Sequence, residues 1–99
     1  MPCEVTMPGT SFPGDETGHL LQWLKREGDC VRTGDLIAVV ETRNAYIDVE
    51  AFHDGTLVIQ LVPEGISARA GSTIAVIATG GEQIDDIWLR YARSQREPR

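Results

Sequence analysis

The chain has 99 residues, 41% of them hydrophobic, and a formal net charge of −6. That length makes one domain with one modest core, and that charge excludes a nucleic-acid binder, which needs clustered Lys and Arg. There is no apolar run long enough for a membrane span and no signal-peptide pattern at the start, so a soluble protein of the cytoplasm is expected.

Cys3 and Cys30 lie far apart and form no CxxC pair, which gives neither a disulfide framework nor a zinc pattern. After Met7-Pro8 comes the stretch PGTSFPGDETG, Pro8 to Gly18, whose Gly, Pro, Ser and Thr predict a surface loop. Phe12 in that loop is either a clamp on the core or an exposed anchor for a partner. A first apolar strand follows, with Trp23 expected to pack in or on a sheet. The apolar run 36–40 leads to the stretch VETRNAYI (Val40 to Ile47). Beyond it, Tyr46, Asp48 and Glu50 alternate with Ile47, Val49 and Ala51, so the whole reads as a hairpin with Arg43 and Asn44 at its tip.

The strongest internal signal is a duplication. GHLLQWLKREGDCVRTGDLIAVVET (Gly18 to Thr42) aligns without a gap on GTLVIQLVPEGISARAGSTIAVIAT (Gly55 to Thr79), at an offset of 37 residues. Eleven of the 25 positions are identical, where composition alone would give about one or two. Each copy reads as β. Gly28, Gly34, Gly65 and Gly71 fall where a chain reverses. Val39, Val40, Ile74, Val76 and Ile77 favour strands, and Pro63 in place of Arg26 fits a strand end. The prediction is an all-β fold of about eight short strands in two facing sheets, each half supplying strands to both. That is a flattened barrel or sandwich with a pseudo-twofold axis, spanning residues 1–80.

Residues 81–99 form a separate extension, opened by the hinge Gly80-Gly81. Ile84, Ile87, Trp88 and Tyr91 recur at i, i+3, i+4 and i+7, one face of a helix. Acids early and arginines late suit its dipole. Folded back, that face extends the core. Projecting, it would dock a protein partner or a second copy.

The duplicated half, Glu27-Gly28-Asp29, Gly34-Asp35 before an apolar strand, and Glu41-Thr42-x-x-Ala45 together resemble the biotinyl/lipoyl carrier domain family. Met7-Pro8, Gly18 and the run Gln22 to Asp29 are most similar to lipoyl domains of 2-oxo acid dehydrogenase acyltransferases. The resemblance covers roughly residues 4–79. It implies the same flattened eight-stranded fold. It also implies a swinging arm, a lysine at the hairpin tip amidated by lipoate or biotin. Position by position, that lysine falls on Asn44 and the acid before it on Arg43. A carboxamide nitrogen is delocalised and not nucleophilic. The chain's one lysine, Lys25, lies elsewhere, and the second copy offers Gly81 opposite Asn44. The chain is therefore expected to be neither lipoylated nor biotinylated, to carry no cofactor and to be no enzyme. A lysine replaced by design would change alone; with Arg43 changed as well, natural divergence is the reading.

Two functions stay open. One is a non-acylated interaction or assembly module whose protein partner is a dehydrogenase or acyltransferase complex component. The other is a lipoyl or biotinyl carrier whose lysine has been substituted. Asn44 is either a plain turn former or, with Arg43, a recognition tip. The remaining contact candidates are Phe12, Ile84, Ile87, Trp88 and Tyr91. His19 and His53 lack partners at metal-ligand spacing. The adjacent pairs Asp15-Glu16 and Asp85-Asp86 read as solvated charge, and Cys30 has nothing in view to activate it.

Overall fold

The computed structural model describes residues 2–8, 17–43, 45–81 and 84–96. Eight strands come first: β1 (Cys3–Thr6), β2 (Thr17–Trp23), β3 (Cys30–Val31), β4 (Leu36–Glu41), β5 (Tyr46–Glu50), β6 (Gly55–Gln60), β7 (Ser67–Arg69) and β8 (Thr73–Ala78). One helix follows, α1 (Ile84–Arg96). The strands form two antiparallel four-stranded sheets. Sheet A runs β1-β8-β6-β3 and sheet B runs β5-β4-β2-β7. Of the two architectures predicted, this is the sandwich: the sheets face each other with four edge strands and do not close into a barrel.

The duplication reappears as symmetry of pairing. Leu20 faces Val40 and Gln22 faces Val39, with a bulge between Leu20 and Gln22. Thirty-seven residues on, Leu57 faces Ile77 and Ile59 faces Val76, with the bulge at the same place. The short strands obey the same rule: Cys30 faces Thr56 in sheet A, and Ser67 faces His19 in sheet B. Each half therefore gives its long strands to one sheet and its short strand to the other. The turns are matched too, because Gly28, Gly34, Gly65 and Gly71 all have φ between 87° and 96°, a region closed to most side chains. Even the polar contacts are exchanged. The Trp23 N–H donates to Glu64 Oε2 at 2.8 Å, and the Gln60 N–H to Glu27 Oε2 at 2.7 Å. The Trp23 indole donates to the Val62 carbonyl at 2.9 Å, as the Gln60 side-chain amide does to Lys25 O at 2.7 Å.

Between the sheets lie Met7, Leu20, Ile37, Val40, Leu57, Ile74 and Ile77, each at most 1% exposed. At about 1.5–3 kcal/mol per fully buried large side chain, this layer is the main source of stability. A second, smaller cluster lies on the opposite face of sheet A, where Val58, Ile59, Val76 and Ala78 pack beneath Ile87 of α1. The helix thus folds back. Its other anchor is Tyr91, half-buried, whose hydroxyl donates to Glu4 Oε2 at 2.8 Å. The predicted apolar stripe is divided: Ile87 and Tyr91 turn to the sheet, while Ile84 (47% exposed), Trp88 (37%) and the unpredicted Leu89 (67%) turn outward.

Two outcomes follow from this packing. A Cβ at Gly55 would collide with the backbone carbonyl of Ala78, whereas at Gly18 it would meet the buried side chains of Met7 and Val40, which can shift where backbone cannot. Gly55→Ala is therefore expected to lower stability by about 2 kcal/mol, and Gly18→Ala by about 1 kcal/mol, in urea unfolding. Burial pushes the Tyr91 hydroxyl above its ordinary value of 10.0, and the bond to Glu4 acts the same way, with Arg90 opposing. A raised value means that the helix contact is complete below pH 10.0 and is lost as pH rises through the folded value. The helical circular dichroism signal should fall in that range in the native chain. Tyr91→Phe should remove the transition.

Candidate functional site

The hairpin between β4 and β5 forms one end of sheet B. Val40 faces Ile47 and Glu41 faces Tyr46, so the strands stay paired up to the turn. Thr42 closes it. Its N–H donates to the Ala45 carbonyl at 2.8 Å and its hydroxyl to the same oxygen at 3.1 Å. Thr42 is 8% exposed, the one polar side chain buried among the described residues. A buried hydroxyl bonded to the far side of a turn fixes the turn's width. Arg43 is exposed at the tip. Asn44 lies outside the described residues, as does Phe12 of the first loop.

Beside the tip is a shallow polar recess of about 470 Å³, lined by Thr17, His19, Glu41, Thr42, Arg43 and Ser67. Strand register builds it: His19 on β2 faces Glu41 on β4 and Ser67 on β7. His19 Nδ1 lies 3.1 Å from Ser67 Oγ, donor and acceptor being set by the imidazole tautomer. Sequence reading weighed His19 as a metal ligand and missed this grouping. The repeat could have shown it, because the offset that pairs β3 with β6 also pairs β7 with β2.

Elsewhere, Asp54 and Lys25 are held by neighbouring side chains and backbone. Asp54 accepts the Thr33 N–H at 2.7 Å and the Thr33 hydroxyl at 3.0 Å, and the backbone bond above all holds its carboxyl below the usual range. Lys25 follows β2, at the end of sheet B opposite the tip, with Nζ 3.9 Å from Asp35 Oδ2. Cys30 is exposed on β3 and Cys3 is partly covered on β1. Among the described residues, no three His, Cys, Asp or Glu side chains gather closely enough to hold a metal ion. Among the described residues, no helix is long and apolar enough to cross a membrane.

The family model Biotin_lipoyl, described as "Biotin-requiring enzyme", matches residues 3–77. The chain is 44% identical over 85 residues to the dihydrolipoyllysine-residue acetyltransferase component of the pyruvate dehydrogenase complex of Rhizobium meliloti, covering 85% of this chain and 19% of that protein. It is 43% identical over 88 residues to the pyruvate dehydrogenase E1 component subunit beta of the same organism, covering 88% and 19%. With the acetyltransferase component of Zymomonas mobilis it shares 38% identity over 99 residues, covering 99% and 22%. The chain thus spans about a fifth of the length of these relatives. Among solved structures it resembles the lipoyl domain of the 2-oxoglutarate dehydrogenase complex from Azotobacter vinelandii, with a TM-score of 0.63 and 26% identity, covering 78% of this chain and 99% of that one. The repeat, the two sheets and these likenesses agree: the chain belongs to the biotin/lipoyl family, and within it to the lipoyl domains of the 2-oxo acid dehydrogenase acyltransferase type.

Proposed function

We propose that this chain is a lipoyl-type domain without an arm, acting as a non-acylated interaction or assembly module of a 2-oxo acid dehydrogenase-type complex. The observation that carries the proposal is the composition of the tip. Its turn, residues 42–45, reads Thr-Arg-Asn-Ala and holds no primary amine. Amidation by lipoate or biotin needs an amine on an exposed turn. Lys25 sits at the far end of the sheet, close to the Asp35 carboxylate. Such a domain would not pass acyl groups and is not an enzyme. It would offer Arg43 and the tip to a component of the complex, and the outward residues Ile84 and Trp88 of α1 to a partner or a second copy.

A second reading has its own support. The turn remains closed by Thr42, and the β4–β5 pairing is regular from Ala38–Val49 to the tip, as a carrier needs. On that reading the chain is a carrier domain in which only the attachment residue has been substituted.

The intact mass of the protein isolated untagged from its source cells is expected to equal that of the bare chain. A mass increased by a lipoyl or biotinyl group would overturn the first reading. Ligation then separates the two. If the tip has diverged, Asn44→Lys should be lipoylated by lipoate ligase at least about tenfold more slowly than Arg43→Asp/Asn44→Lys, because Arg43 sets a like charge beside the new amine. Equal, efficient modification of both would favour the carrier reading.

A further inference from the structure

The two sheets leave a slot on the side where their edge strands β1 and β5 run. It has a volume of about 340 Å³. Cys3 and Val5 of β1 and Ile47 and Val49 of β5 line it, with Ile77 beside them. These side chains are buried or half-buried. Glu4, Asp48 and Glu50 line it too, and all three are exposed. Alternation along the two strands explains the division, apolar inward and acidic outward. Among the described residues no Lys or Arg lines the slot; His53 does, at the end where Phe52, 77% exposed, also stands.

Acids on an edge strand can simply guard against aggregation. That role would not place a bare phenyl ring at the end of the acidic row. The two edges also differ. Glu4 on β1 is engaged by the Thr73 hydroxyl at 3.0 Å and by the Tyr91 hydroxyl at 2.8 Å. On β5, which carries Asp48 and Glu50, the described residues supply a pairing strand on one side only, β4.

We propose that the slot receives an extended strand of a partner protein, paired to the free edge of β5, in which apolar side chains alternate with lysine or arginine. Strand addition satisfies the edge N–H and C=O groups of β5. With a period of two, every second side chain enters the apolar slot, and those between meet Asp48 and Glu50. Phe52 covers the last apolar side chain. This inference does not depend on whether the tip carries an arm.

The test is an amide chemical-shift titration with two synthetic hexapeptides, one alternating lysine with valine and one alternating lysine with glycine. The lysine–valine peptide should bind saturably, with shifts confined to β1, β5 and Phe52, and the lysine–glycine peptide at least about tenfold more weakly. Asp48→Lys/Glu50→Lys should weaken the first peptide by about tenfold or more, while Asp85→Lys/Asp86→Lys, the same change in net charge on α1, should stay within about twofold. All four positions are exposed, and Asp85 and Asp86 lie on α1 outside both sheets; their change costs the helix its favourable dipole pairing but should leave the sandwich folded, which amide shifts of the strands check. Shifts spread over the acidic surface, equal binding of the two peptides, equal loss in the two variants, or no saturable binding would each overturn the proposal.

Discussion

Two glutamates bind each half of the molecule to the other. Glu27, in the turn after β2, accepts the Gln60 N–H of β6, and Glu64, in the turn after β6, accepts the Trp23 N–H of β2. The neighbouring glycines do the same through the backbone: the Gly28 N–H donates to the Leu57 carbonyl and the Gly65 N–H to the Leu20 carbonyl, both at 2.7 Å. These carboxylates are exposed, so each bond contributes about 1 kcal/mol, well below the apolar layer between the sheets. Their effect is on arrangement. They fix the turn of one half on the long strand of the other and so bring β3 beside β6 and β7 beside β2. Neither half can complete its own sheet. The hairpin tip, the recess beside it and the slot at β5 all inherit their positions from this exchange.

The repeat was legible because the residues that fix backbone shape recur at one offset. Glycines with positive φ, the Glu-Gly turns and the β-branched runs define the same path twice, and the registers agree down to the bulge. Closure was less legible. Whether the sheets form a barrel depends on edges that carry no distinct sequence signal. The helix was legible by period but not by orientation. Periodicity gives the stripe on the helix, whereas the width of the surface it lands on is set by Val58, Val76 and Ala78 across two strands. That is why Ile87 and Tyr91 are covered while Ile84 and Trp88 face out. Phe12 and Asn44, singled out from the sequence, lie outside the described residues.

Where the halves differ, their surroundings differ. The outer positions Val58, Val76 and Ala78 of sheet A correspond to Leu21, Val39 and Glu41 of sheet B. The first set is buried under α1, and the second is only half-buried. One helix therefore gives two nearly equivalent sheets different outer faces. Trp23 and Gln60 show the converse, unlike side chains making the same kind of bond across the halves.

The twofold also relates the two ends of the sandwich. β1 corresponds to β5, since Cys3 faces Ile77 as Ile47 faces Val40. The counterpart of the Thr42–Ala45 turn is therefore the opening between the end of β8 and the start of β1. A linker of about four residues would close that opening, and a cut within the tip would then leave the sheets in place. The hairpin and the opening are two poles of one object. The poles are interchangeable as architecture. Only the path of the chain makes one of them a turn and the other a point of entry and exit.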